Sequence, residues 1–343
     1  MIKTKATGPI PAGYDAIDGE LAIGGQKCSA LIAENGSPLF VYSKSRLDDR
    51  MAQLRAAMPD GLDLHYAMKA NPFPPLLRHM VDLGDGIDIA SGGELQMALE
   101  AGAAPEHISF AGPGKREEEL EQAIQAGVTL NIESPGECDR TLKIGERLGK
   151  KPRLAIRVNP DFDLKGSGMK MGGGAKPFGM DIELVATAAK KILDGGADWR
   201  GFHIFAGSQA LSADAIIDTQ AQTLDLAARL ATEIGQAPAH VNLGGGFGIP
   251  YFPGDEQLDI AKVGAALGDQ LAQLPEILSA TQFAIELGRY LVGEAGVYLT
   301  RIVDRKQSQG QIFLVTDGGL HHQLAASGNF GTVVRRNYPA AIA

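Results

Sequence analysis

The run Leu62-Asp63-Leu64-His65-Tyr66-Ala67-Met68-Lys69-Ala70-Asn71-Pro72 begins as a strand and ends beside a lysine. Its first five residues alternate apolar and polar, as a half-buried strand does, and Pro72 can open a helix. A lysine held just past a strand end is placed to form a Schiff base with an aldehyde. The plain alternative is an ordinary surface lysine, which is what most lysines are. The rest of the chain has to decide between them.

Seven more strand-like runs follow, at 86–90, 107–111, 128–132, 153–158, 201–206, 240–243 and 282–287. Helical patterns separate them. Residues 93–101 carry Leu95, Ala98 and Leu99 on one side, Ser134 with Glu137 makes a capping-box pattern, and 213–234 is long and alanine-rich. Strands alternating with helices make parallel sheets, and eight such units over about 230 residues match a (β/α)8 TIM barrel. A doubly wound open sheet is the rival. The expected divisions are 44–287 for the barrel, with 1–43 and 288–343 forming a second, β-rich domain from both chain ends. Runs such as Leu39-Phe40-Val41-Tyr42, Val297-Tyr298-Leu299-Thr300 and Ile312-Phe313-Leu314-Val315 support that second domain. The glycine-rich stretch 165–174, after the fifth strand, reads as a mobile loop.

Composition narrows the functional classes. A net charge of -9 argues against nucleic acid as the main partner, because phosphate binding needs a basic face. Only Cys28 and Cys138 occur, without metal-type spacing or a disulfide framework, so a reducing cytoplasm is expected. No window reaches the roughly 18 apolar residues of a membrane span, so no membrane partner is expected. His321-His322 lacks a third ligand, and no metal is expected.

Active sites of such barrels lie at the C-terminal ends of the strands. Lys69, Arg157, His203, Ser208, Glu286 and Arg289 all fall there. Each has a structural alternative: Arg157 pairing with a carboxylate inside the barrel, His203 as a satisfied core histidine, Glu286 as a buried ion-pair partner. Leu243-Gly244-Gly245-Gly246-Phe247-Gly248 follows strand seven, where barrels often bind phosphate through backbone N–H groups. Pro250 and Pro253 stop a helix from starting at once, which argues against a dinucleotide-binding turn. A phosphate cradle and a Schiff-base lysine on one rim together suggest an aldehyde cofactor carrying a phosphate.

Five segments in order resemble the fold-type III pyridoxal-phosphate decarboxylases of the diaminopimelate and ornithine decarboxylase group, whose barrel is alanine-racemase-like. They are Tyr66-Ala67-Met68-Lys69-Ala70-Asn71, Asp88-Ile89-Ala90-Ser91-Gly92-Gly93-Glu94-Leu95, Gly201-Phe202-His203-Ile204-Phe205-Ala206-Gly207-Ser208-Gln209, the triple glycine, and Glu286-Leu287-Gly288-Arg289. The resemblance spans nearly the whole chain. It implies that Lys69 holds pyridoxal 5'-phosphate as the internal aldimine and that His203 stacks on the ring. It further implies that Ser208, Gly244, Gly245, Gly246 and Arg289 surround the phosphate, that Glu286 meets the pyridine nitrogen, and that Asp88 and Arg157 support the site. An acid at that nitrogen keeps it protonated and the ring electron-withdrawing, which favours CO2 loss through a quinonoid intermediate. The racemases of the same fold class present an arginine there and resemble the chain less. A cofactor-binding protein without decarboxylase activity, similar to single-barrel homeostasis proteins, is the alternative from another class. The β-rich ends and Glu286 argue against it.

The chain also departs from the family pattern. Leu287 stands where proline is usual, and no Cys-Asp motif follows strand eight, so the C-terminal β-domain is expected to be incomplete. After Asp317-Gly318-Gly319 the sequence fits neither the diaminopimelate nor the ornithine pattern, and it resembles a decarboxylase subgroup associated with bacterial exosortase and exopolysaccharide clusters. Arg335 and Arg336 are candidates for binding a distal substrate carboxylate, or form a solvated basic turn. The resemblance implies an amino acid or amino-acid-derived substrate and a homodimer that shares its active sites.

Overall fold

The computed structural model describes residues 13–252, 254–319 and 321–323. Arg335 and Arg336 lie outside them. The chain divides into two compact units, one of 48–249 with 258–292, the other of 1–47, 250–257 and 293–343.

The larger unit is a closed barrel of eight parallel strands: β1 Asp63–Ala67, β2 Gly86–Ile89, β3 Ile108–Phe110, β4 Thr129–Ile132, β5 Arg153–Asn159, β6 Asp198–Ile204, β7 His240–Gly245 and β8 Gln282–Leu287. Each pairs with the next in chain order, and β8 returns to β1 with Glu286 opposite His65 and Leu287 opposite Tyr66. Closure excludes the open-sheet alternative. Successive strand residues face opposite sides. On β5, Leu154, Ile156 and Val158 form the buried apolar set, while Arg153, Ala155 and Arg157 alternate with them. That second set faces the barrel interior, and there it is polar or small.

Helices cover the outside, and their ends follow the capping chemistry in the sequence. The Gly92–Glu100 helix starts at Ser91, whose hydroxyl accepts from Glu94 N (3.2 Å), while the Glu94 carboxylate accepts from Ala90 N (2.7 Å). The motif Ser91-Gly92-Gly93-Glu94 is therefore first a helix-starting device. Ser134 caps Pro135–Leu148 through Glu137 N at 3.1 Å, but Glu137 reaches back to Glu133 N rather than to the cap residue. The Ala213–Ile234 helix forms as expected and ends at left-handed Gly235. The helix after Lys69 opens at Pro74 instead of Pro72, since a three-residue 3-10 turn, Met68–Ala70, comes between. Part of the glycine-rich stretch is anchored, because Met169–Lys170 pairs antiparallel with Gly207–Ser208.

The smaller unit is β-rich and takes strands from both chain ends. Leu39–Tyr42 pairs antiparallel with Gly296–Leu299, Asp15–Ile17, Glu20–Ile23 and Gln26–Lys27 form a three-stranded sheet, and Ile302–Ser308 with Gln311–Thr316 make a hairpin. Its core gathers Ile23, Cys28 and Leu299 with Leu31, Leu39, Val41 and Val297 around them. No helix among the described residues is long and apolar enough to cross a membrane.

Candidate active site

Lys69 sits in the 3-10 turn that ends β1. Tyr66, fully buried, donates its hydroxyl to Asn71 O (2.9 Å), and Asn71 N donates to Met68 O (3.1 Å). The turn is thus tied at both ends while Lys69 itself is exposed. Its Nζ lies 5.9 Å from the centre of the Phe205 ring, within cation–π reach. Gly288, just after β8, packs against this turn: a Cβ there would come within 2.9 Å of Ala70 Cβ.

Sheet register brings the other candidates together. Arg157 on β5 is opposite His203 on β6, and His203 is opposite Asn242 on β7. Across the interior, His203 Nε2 donates to Glu286 Oε2 at 2.8 Å, and Asn242 Nδ2 donates to the same oxygen at 3.3 Å. Burial by itself would raise the Glu286 carboxyl. The His203 imidazole, Lys69 and Arg157 outweigh it and hold the group well below the usual carboxylate range. Glu286 is therefore a buried anion at neutral pH.

Arg157 is buried and its Nη1 lies 3.2 Å from Glu133 Oε1. The ion-pair alternatives for Arg157 and Glu286 are thus realised in the geometry. Glu133 was not singled out from sequence, although it continues the inward register of Asn131 just past β4. Its carboxylate also accepts from Gly179 N (2.9 Å) and Gly112 N. Burial opposes its ionisation, and Arg157, Lys115 and these two N–H groups more than compensate, so its pKa is lowered. Behind it, buried Lys115 donates to Glu137 Oε1 (2.6 Å), Gly112 O (2.7 Å) and Asn131 O (2.8 Å). A lysine followed 22 residues later by a glutamate carried no local pattern that would have revealed this pair.

The triple glycine is required by backbone packing. Gly244 (φ +70°) leaves room for Ile204 O, which a Cβ would approach to 2.6 Å, and a Cβ on Gly245 or Gly246 would overlap Glu286 O or Gly207 O. This crowding brings β7 against β6 and β8 where the strands end. Gln209, in a left-handed conformation (φ +63°), joins the nearby loops: it donates to Ile249 O (2.6 Å) and accepts from Arg289 Nη1 (2.9 Å). Ser208 is half-buried beside it. Gln209 was quoted only as part of a motif, and its bridging role comes from the structure.

Two orphaned groups test whether an aldehyde cofactor fits. Both Asp88 oxygens are buried without a hydrogen-bond partner, with His65 Nδ1 3.4 Å away, and His203 Nδ1 is likewise unsatisfied. Buried polar atoms normally find partners. An accessible lysine, a buried anion, glycine-lined strand ends and an arginine form a donor set suited to a phosphorylated pyridine aldehyde. The fold and site define a (β/α)8-barrel enzyme built around pyridoxal phosphate.

Comparison with known proteins is in accord. Residues 44–293 match the family model described as pyridoxal-dependent decarboxylase, pyridoxal binding domain. The chain is 36% identical over 316 residues to the L-glutamyl-[BtrI acyl-carrier protein] decarboxylase of Niallia circulans, covering 91% of this chain and 73% of that one. It is 36% identical over 315 residues to the diaminopimelate decarboxylase of Aquifex aeolicus, covering 90% and 73%. Among solved structures, diaminopimelate decarboxylase from M. jannaschii in complex with L-lysine superposes with a TM-score of 0.84 at 26% identity, covering 92% of this chain and 75% of that one. The chain belongs to the pyridoxal-dependent decarboxylase family. It is a carboxy-lyase that uses pyridoxal phosphate to decarboxylate an amino-acid substrate.

Proposed function

We propose that Lys69 is the covalent anchor of pyridoxal phosphate and that Glu286 is the group that sets its electronics. When bound, pyridoxal phosphate supplies the electron sink for the pair left behind by departing CO2. Glu286, kept ionised by His203, Lys69 and Arg157, holds a proton on the pyridine nitrogen. His203 orients Glu286 and faces the ring, while Asp88 and Arg157 steady the walls. Ser208, the backbone of Gly244 to Gly246 and Arg289 hold the phosphate. Lys69 Nζ accepts and returns protons as substrate enters and product leaves. The observation that carries this reading is the buried Glu286 carboxylate 2.8 Å from His203.

The substrate is an amino acid in free form or joined to a carrier. Relatives named for diaminopimelate and for a carrier-bound L-glutamyl group are equally similar to the chain, which supports both classes. The enzyme works in the cytoplasm as a homodimer. Exposed Val303, Ile312, Phe313 and Leu314 on the hairpin of the smaller unit support association between copies.

The test uses CO2 release from diaminopimelate, lysine, ornithine, glutamate and glutamyl-carrier protein. Glu286→Gln should retain the lysine-bound chromophore near ~420 nm yet lose about 100-fold or more in turnover, the scale of removing one preorganised electrostatic group. Lys69→Ala should leave no borohydride-fixed cofactor at a single lysine. Unchanged turnover in Glu286→Gln, or a fixed adduct in Lys69→Ala, refutes the assignment.

A further inference from the structure

The interior of this barrel is unusual below the catalytic layer. In most (β/α)8 barrels bulky branched side chains fill it. Here the inward positions include Gly86, Ser109, Ala155 and Ala284. They leave a cavity of about 280 Å³ at the N-terminal mouth, the end opposite Lys69. Asp63, His65 and His240 line it. Asp63 and His65 sit two apart on β1, so both face inward, and His240 opens β7. Between these strands runs β8, whose Ala284 is opposite Asp63 and Asn242. That small residue lets the imidazoles approach across a strand, with ring centres 5.7 Å apart, and Gly86 leaves space at the His65 ring edge, where a Cβ would meet Nε2 at 2.6 Å.

One ligand atom from each of Asp63, His65 and His240 lies within 4.8 Å of the other two. His65 is 6% exposed, and its buried Nδ1 pairs with Asp88 Oδ2 at 3.4 Å without the geometry of a full hydrogen bond. A fully partnered structural histidine would not be left this way. Two imidazoles and one carboxylate, with space beside them for water, are the donor set of an open divalent transition-metal site. Arg153 and Arg200 also line the cavity. Arg200 is balanced by Asp198 at 3.7 Å, and Glu106 adds a further carboxylate to the lining. The formal charges of the cavity and Asp198 are therefore three carboxylates against two guanidiniums, before any metal.

We propose that Asp63, His65 and His240 form a binding site for a divalent first-row metal ion, zinc or its analogue cobalt, at the N-terminal mouth of the barrel. The ion would link β1 to β7 across β8 and brace the end of the barrel away from the chemistry. Ligand atoms within 4.8 Å of one another lie near the spacing that bonds of about 2.0–2.2 Å to one shared ion require, so side-chain rotamer adjustments into the cavity would complete the site.

The experiment titrates cobalt(II) into the chelator-treated holoenzyme and follows its ligand-field absorption. One equivalent per chain should bind, giving bands of low coordination number, and zinc should displace it. Asp63→Asn and His240→Asn should each weaken binding by more than about 100-fold, beyond the cost of losing an outer-shell partner. Retained cofactor absorbance in either variant establishes that it is folded. The same metal should raise the melting temperature of the wild type and leave that of the variants unchanged. Absence of a bound equivalent in the wild type overturns the proposal. So does cobalt binding that persists in both variants but disappears in His321→Ala/His322→Ala.

Discussion

Substitution of Lys115 by Met gives the sharpest test of how the site is supported. Lys115 is 4% exposed, and its ammonium spends its three protons on Glu137 Oε1, Gly112 O and Asn131 O. Met keeps most of the unbranched length and removes all three. Glu137 would be left buried with only Glu133 N on its other oxygen. Removing one partner of a buried ion pair costs about 3–5 kcal/mol. Part of this can be avoided by protonation, because burial already raises the Glu137 pKa and Lys115 is the main influence opposing it. A carboxyl whose folded pKa lies above its unfolded value contributes stability that is complete below the unfolded pKa, about 4.3 for glutamate. That contribution is lost as pH rises through the folded pKa. Lys115→Met moves the folded pKa further up, so its penalty should be about 3–5 kcal/mol at pH 8. It should fall towards about 1–3 kcal/mol as the pH is lowered, because a protonated Glu137 leaves only unsatisfied polar groups. Urea unfolding followed by circular dichroism, with midpoints compared at equal slope, measures both values. The double variant Lys115→Met/Glu137→Gln, which keeps an acceptor for Glu133 N, should recover at least half of the loss at pH 8. A penalty under about 1 kcal/mol at pH 8, or one independent of pH, would refute the reading that a buried charge pair holds Glu133 and, through it, Arg157.

Two further outcomes follow from packing. Gly245→Ala should destabilise by about 1–3 kcal/mol and weaken cofactor binding, because its Cβ would overlap Glu286 O and backbone cannot move aside cheaply. Gly136→Ala, in the Pro135–Leu148 helix with open space around it, should instead stabilise by about 0.4–1 kcal/mol. Thermal unfolding distinguishes the two, and equal effects would mean that steric crowding at the triple glycine is not what constrains it. Burial pushes the Cys138 thiol up to about 11 and raises that of Cys28 as well. An aromatic disulfide reagent at pH 7.5 should therefore titrate neither of the two cysteines in the native protein and both after denaturation. Rapid native reaction of either would contradict the described burial.

The eight strands were legible because each carries a local signal: a short run with apolar residues on alternate positions, bounded by glycine, proline or a helix cap. Every one of them appears within a few residues of its expected place. The helix starts at Ser91 and Ser134 were legible for the same reason, as a side-chain oxygen and an N–H three residues on are neighbours in sequence. The grouping of the candidate residues was partly legible too, since strand ends in a closed barrel converge and Lys69, Arg157, His203 and Glu286 lie at or just past strand ends. The offset at Pro72 shows where local signals fail. The Tyr66–Asn71 contact selects a 3-10 turn before the helix, and propensity does not encode that contact.

By itself, then, the sequence determined the alternation of strands and helices, the order of the motifs and the type of cofactor chemistry, because these depend on residue type and short spacing. Tertiary structure alone decided the partners of the charged groups. Arg157 with Glu133, Lys115 with Glu137, His203 with Glu286, and His240 with the neighbouring Asp63 and His65 join residues 22 to 177 positions apart. Neighbouring strands bring the first two pairs together, while His203 with Glu286 and the meeting of β1 with β7 need the barrel to close. The energy of a buried charge depends on what surrounds it rather than on its neighbours in the chain.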